Sequence, residues 1–188
     1  MHFIENNYYH LFNRTNNEEA LFRSEENYKY FLKKYRYYLE DYLETIVYCL
    51  MPTHFHFLVR VKSDVAYSSD DLKSSDEYSK QISKQVGILL RSYTRAFNKM
   101  YDRHGNLFNQ KTNAKPVSSN KYLITLVTYI HQNPVRSGLV DNAEDWCFSS
   151  FRDYIEERQG TLPSKEMILG MINKNDLKDL TNRKLIKL

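Results

Sequence analysis

Residues 52–56 read Pro52-Thr53-His54-Phe55-His56 and lie between two apolar runs, residues 45–51 (TIVYCLM) and 57–61 (FLVRV). β-Branched and aromatic residues dominate both runs and a proline marks the turn, so the pattern predicts a β-hairpin. Along a strand, residues i and i+2 share a face. His54 and His56 therefore project side by side, with Phe55 turned into the opposite layer. Two imidazoles on one rigid strand are half of a divalent-metal site. They are equally compatible with a solvated polar strand face, so the remainder of the chain has to decide.

Outward from the hairpin the pattern is α+β. Residues 8–14 (YYHLFNR) read as a first strand. Residues 24–42 read as a helix, with Ser24 at the N-cap, Glu25 and Glu26 in the first turn, and Tyr28, Phe31, Leu32, Tyr35, Tyr38, Leu39 and Tyr42 at helical spacing. Residues 63–77 are rich in Ser and Asp and read as an exposed loop. A second long helix spans 78–101, with Gly105 near its expected C-cap. A short extended piece covers about 106–117. Residues 118–120 then cap a third helix that runs to about Gln132 and breaks at Asn133-Pro134. Hairpins without a glycine-rich phosphate loop favour an antiparallel sheet with helices packed on it over a Rossmann-type sheet.

The chain of 188 residues suits one domain with a real core. No apolar run approaches the roughly 20 residues of a membrane span, and His2 and Glu5 at the N-terminus do not suit a signal peptide. Cys49 and Cys147 are isolated from one another and form no Cys-x-x-Cys pair. A reduced, cytoplasmic protein without membrane association is expected. The net charge of +4 permits nucleic acid as a partner without demanding it.

The third helix carries Leu123, Leu126, Val127 and Ile130 on its core face. Tyr129 and Asn133, four residues apart, flank that stripe one turn from each other. An amide oxygen presented beside two imidazoles can be a third, hard metal ligand. A phenol oxygen can attack a phosphorus polarised by that metal. The plainer reading makes Tyr129 a semi-buried aromatic and Asn133 a helix terminator before Pro134.

The second helix supplies a separate signal. Lys80, Lys84, Arg91, Arg95 and Lys99 fall within a narrow arc, opposite Ile82, Val86, Leu89, Leu90, Tyr93, Phe97 and Met100. A stripe of one sign fits phosphate contacts better than an ordinary solvated face, which mixes signs. Nearby Tyr101 and Phe108 are candidates for stacking on unpaired bases, with core packing the alternative for Phe108.

Two blocks then point to a family. Residues 51–59 (MPTHFHFLV) resemble the HUH motif of single-tyrosine transposases, where U is a bulky apolar residue. Residues 129–140 (YIHQNPVRSGLV) resemble the tyrosine segment of one branch, the REP-associated tyrosine transposases. Residues 9–14 (YHLFNR) and 145–151 (DWCFSSF) resemble that family's first strand and its Trp-x-x-Ser-Ser segment. The resemblance runs from about residue 8 to about 154. Thr53, Ser137, Asn109 and Phe151 stand where the family usually has Asn, Ala, Gln and Tyr. None of these departures removes a catalytic atom, though Asn109 bears on DNA contacts.

The resemblance implies a ferredoxin-like α+β domain over residues 1–158, with residues 159–188 a C-terminal tail, expected to be helical and of open role. It implies Mg²⁺ or Mn²⁺ held by His54, His56 and Asn133. It implies Tyr129 as the nucleophile on single-stranded DNA with hairpin structure, forming a 5′-phosphotyrosine and a free 3′-hydroxyl. Arg14, Lys111, Lys115 and Arg136 join the basic stripe as expected DNA contacts, in a monomer or homodimer. Two alternatives stay open: a non-catalytic DNA or RNA hairpin-binding regulator, and a different His-x-His phosphoesterase. Leu58 occupies the position where the histidine-triad hydrolases need a third His, which weakens the latter.

Overall fold

The computed structural model describes residues 1–63 and 75–183, so most of the expected loop at 63–77 lies outside the described residues. Strands β1 (Tyr8–Arg14), β2 (Leu43–Met51), β3 (His54–Val61) and β4 (Asn113–Val117) form one sheet in the order β2-β3-β1-β4, antiparallel throughout. Helix α1 (Glu25–Leu39) connects β1 to β2, and α2 (Ser75–Met100) precedes β4. The order βαββαβ is the expected ferredoxin-like arrangement.

Strand alternation sorts β3 into two layers. Phe55, Phe57, Val59 and Val61 join Tyr9 and Leu11 of β1 beneath α1 and α2, where they meet Phe31, Tyr35, Leu39, Ile82, Val86 and Tyr93. Tyr35 stacks on Phe57 with ring centroids 4.1 Å apart and planes within 5°. The opposite face takes a third helix, α3 (Asn120–Arg136). Its Leu123, Leu126, Val127 and Ile130 pack on Val47, Cys49 and Met51 of β2 and Leu58 of β3. Helix α4 (Phe151–Tyr154) and two helices of the tail, α5 (Glu166–Leu169) and α6 (Lys174–Arg183), complete this layer. Ile168 and Leu177 are buried in the same cluster as α3, and Gln132 Nε2 donates to the Thr181 carbonyl at 2.8 Å.

Residues 146–150 cover the open edge of β2. Leu50 N–H donates to the Phe148 carbonyl and Ser150 N–H to the Tyr48 carbonyl, both at 2.9 Å. Trp146 Nε1 donates to the Leu50 carbonyl. Ser150 Oγ also accepts from Tyr48 N–H and lies 3.0 Å from Nε2 of the buried His131. The Ser150 hydroxyl thus ties α3 to β2.

Several boundaries differ from the sequence reading. Helix α2 begins at Ser75, and just past its end Asp102 takes a positive φ (47°) before Gly105 does (82°), with Arg103 N–H bonding back to the Asn98 carbonyl. Met100, on the apolar arc, is exposed at that end. Only Asn113–Val117 of the expected extended piece pairs as a strand. Helix α3 does not break at Asn133-Pro134 but continues to Arg136. Proline lacks the N–H that would bond the carbonyl four residues back. Here Asn133 Nδ2 donates to that carbonyl, on Ile130, at 3.3 Å and to the Tyr129 carbonyl at 2.9 Å. Gly138, at φ 64°, then ends the helix in the left-handed region glycine tolerates.

Phe57→Ala should cost about 3–5 kcal/mol in chemical denaturation, because it removes a fully buried ring and leaves a cavity. Tyr37→Ser, at a site 77% exposed, should change stability by less than about 0.5 kcal/mol. Comparable losses for both would contradict this core.

Burial also pushes the His131 imidazole down to about 3. The unfolded chain, with its imidazole near roughly 6.5, takes up this proton first as the pH falls. The stability that neutral His131 contributes is therefore complete above about pH 6.5 and is lost toward pH 3. Urea midpoints should already drop between pH 7.5 and pH 5.5, above the carboxylate range, as this group lowers the unfolding free energy by up to about 1.4 kcal/mol per pH unit. Equal midpoints would contradict a buried neutral His131.

Candidate active site

The tight Pro52-Thr53 turn starts β3 at His54, which is partly buried; His56, two residues on, is only 8% exposed. Their ring centroids lie 5.1 Å apart. Helix α3 passes over the same sheet face and brings the half-buried Tyr129 ring edge-on to His56, centroids 6.1 Å apart. Asn133 follows one turn later. Its amino group is committed to the two helix carbonyls, and its Oδ1 has no hydrogen-bond partner among the described residues. His54, His56 and Tyr129 thus come together within one chain, with Asn133 one helical turn beyond Tyr129.

The histidines' hydrogen bonds define what they can offer. His54 Nδ1 lies 3.1 Å from Thr53 Oγ1, and His56 Nδ1 lies 2.9 Å from Nε2 of His10 on β1. In each ring Nε2 is left without a hydrogen bond among the described residues. Burial, then the neighbouring Arg14, holds His54 below the usual imidazole range. Burial, then His10 and His54, holds His56 well below it. Both rings are therefore neutral near pH 7, each with a lone pair on one nitrogen. No cluster of three or more His, Cys, Asp or Glu side chains suited to a metal occurs among the described residues. Two imidazole nitrogens plus the Asn133 amide oxygen are nonetheless a donor set that fits a divalent cation.

The expected DNA contacts fall into two groups. Arg14 pairs in register with His54, and Lys115 with His10, on the β1–β4 half of the face that α3 leaves uncovered. Lys115 Nζ lies 5.6 Å from the Phe12 ring centroid, and the Arg136 guanidinium 5.2 Å from that of Tyr129. These three cations surround the site. Lys80, Lys84, Arg91, Arg95 and Lys99 are exposed on α2, across the sheet from the histidines, and none makes a salt bridge among the described residues. Arg91, Arg95 and Lys111 line a cleft of about 820 Å³ between α2 and residues 103–112. Phe108 is core, packed among Phe31, Phe55 and Tyr93. Tyr101 bonds Asn27 and carries the Arg23 guanidinium on its ring, so neither aromatic is offered to a base.

Sequence reasoning missed four residues that build the site. His10 was visible only as part of a strand, and its pairing with His56 needs the β1–β3 register. His131 and Ser150 belong to the quoted motifs, but their contact links positions 19 residues apart. Arg158 was likewise unmarked. It forms an ion pair with the buried Asp153 and donates to the Ser149 carbonyl, fixing the segment that holds Ser150.

Comparison with known proteins agrees with the sequence motifs. No family model matches the chain. A Haemophilus influenzae protein described as a "Putative REP-associated tyrosine transposase" is 27% identical over 125 residues. That match covers 64% of this chain and 66% of the relative, just under two thirds of its length. A solved REP-associated tyrosine transposase bound to a REP hairpin superposes with a TM-score of 0.58 at 19% identity, over 83% of each chain. A bacterial tRNA(His) guanylyltransferase-like protein in complex with ATP aligns at a TM-score of only 0.43 and 10% identity, over 95% of this chain and 72% of that one, too loosely to inform function. In sequence and in fold alike, the chain resembles the REP-associated tyrosine transposases.

Proposed function

We propose that this protein is a metal-dependent transposase or endonuclease that cleaves and rejoins hairpin-containing single-stranded DNA through Tyr129. The observation that carries this reading is the juxtaposition of the Tyr129 ring with His56, at 6.1 Å, on the sheet face that also holds His54, with Asn133 one turn further along the same helix. A phenol, two neutral imidazoles and an amide oxygen have little reason to converge as core packing. They suit phosphoryl transfer to tyrosine.

His54 Nε2, His56 Nε2 and Asn133 Oδ1 would hold Mg²⁺ or Mn²⁺, which supplies charge neutralisation at the non-bridging oxygens of a scissile phosphate. Tyr129 Oη attacks that phosphorus and its proton passes to solvent. The P–O3′ bond breaks and the leaving O3′ takes up a proton from solvent, giving a 3′-hydroxyl and a 5′-phosphotyrosine. Attack by another 3′-hydroxyl reverses the step and joins strands without external energy. Arg136 beside Tyr129, with Arg14 and Lys115 nearby, attracts the backbone to the site. The α2 stripe holds the same DNA, or a neighbouring stretch, around the β4 edge.

Short hairpin oligonucleotides incubated with Mg²⁺ or Mn²⁺ and run on denaturing gels should yield a covalent protein–DNA adduct. Tyr129→Phe should abolish it while leaving hairpin binding nearly intact, and His56→Ala should abolish cleavage. Asn133→Ala should be milder, since water can replace one ligand. An adduct that survived Tyr129→Phe would implicate another of the sixteen tyrosines. Binding without any cleavage by the wild type would favour the regulatory module instead.

Lys84→Ala combined with Arg91→Ala should weaken binding equally for matched and scrambled hairpins. It should also flatten the plot of log affinity against log salt by roughly 0.7 per lost contact on single strands. Unchanged affinity and slope would move the DNA path off α2.

A further inference from the structure

The contact between His10 and His56 has a consequence that follows from counting protons. Both rings are buried. Two neutral imidazoles 2.9 Å apart, His10 Nε2 to His56 Nδ1, share a single proton between those atoms. If it sits on His56 Nδ1, then His56 Nε2 carries a lone pair. If it sits on His10 Nε2, then His56 carries its proton on Nε2, which is a donor and cannot ligate. His54 faces the same choice, and Thr53 Oγ1, 3.1 Å from its Nδ1, can accept from an Nδ1–H. Both histidines therefore have Nδ1 engaged and the same nitrogen, Nε2, left over.

We infer that His10 is a positioning residue: its Nε2 accepts from His56 Nδ1–H and so holds the His56 Nε2 lone pair ready for a cation. A metal-bound histidine characteristically donates its other N–H to such an acceptor, and loss of the partner typically costs 10–100-fold in metal affinity. The acceptor here is a second imidazole. For His10 to accept at Nε2, its own proton must be on Nδ1, and that atom is not among the buried polar atoms lacking a partner, so water can receive it. Lys115, opposite His10 in the β1–β4 register, disfavours a proton on both nitrogens. The cation-binding part of this inference rests on the metal reading of the site; the tautomer does not.

The test reads the tautomer of His56 directly, by long-range ¹H–¹⁵N correlation of ¹⁵N-histidine-labelled, metal-free protein near pH 7.5. The inference expects a protonated Nδ1 and an unprotonated Nε2 on His56. The reverse assignment would overturn it. His10→Gln places a carbonyl oxygen near the position of His10 Nε2 and should keep both this tautomer and the wild-type Mn²⁺ affinity, read by electron paramagnetic resonance. His10→Leu removes the acceptor and should weaken Mn²⁺ binding by about 10-fold or more, with hairpin binding unchanged. If His10→Leu binds Mn²⁺ as wild type does, the inference fails. Should His10→Leu not fold, the wild-type tautomer and the His10→Gln comparison decide it. His54→Ala separates the two claims: Mn²⁺ binding equal in His54→Ala and wild type would defeat the metal reading, while the metal-free tautomer still passes judgement on His10.

Discussion

Everything in this molecule depends on β3 serving two layers at once. Its odd-numbered residues, Phe55, Phe57, Val59 and Val61, must fill the aromatic core under α1 and α2. That forces the even-numbered residues onto the opposite face, where Leu58 anchors α3 and His54 and His56 stand beside it. The strand is central, bonded to β2 on one side and β1 on the other, so neither register nor facing can slip by one residue without inverting the core. The rigidity that the histidines need is thus a by-product of the apolar packing behind them.

The second constraint concerns how α3 carries its two polar groups. Asn133 has a structural duty beside the ligand role proposed for it. Pro134 removes a backbone donor, and the Asn133 amino group takes over the Ile130 carbonyl, which keeps the helix intact through the site. The same orientation leaves the amide oxygen without a hydrogen-bond partner among the described residues. Aspartate would lose the donors and glutamine would displace them. The clasp of His131, Ser150 and the Tyr48 backbone then fixes how α3 lies against β2, and with it the reach of Tyr129.

Much of this was legible in the chain. The hairpin about Pro52, the first strand and the first and second helices follow from period and turn chemistry, and the His54–His56 facing follows from strand period alone. The end of α3 was not legible, because a rule about proline competes with a side-chain hydrogen bond that depends on helix geometry. Nor was His10, because its role arises from cross-strand register between segments 46 residues apart. The distribution of positive charge was read as a stripe, but only the fold places it across the sheet from Tyr129 and gives Arg14, Lys115 and Arg136 to the other face.

Tyr129, poised beside His56, is proposed to become covalently joined to DNA. Peptide mapping by mass spectrometry of wild-type protein after reaction with a hairpin-bearing strand in Mn²⁺ tests it most directly. The account predicts a nucleotide 5′-phosphate on the peptide containing Tyr129, with the released fragment ending in a 3′-hydroxyl. A nucleotide on any other residue, or cleavage that leaves every peptide unmodified, would contradict it.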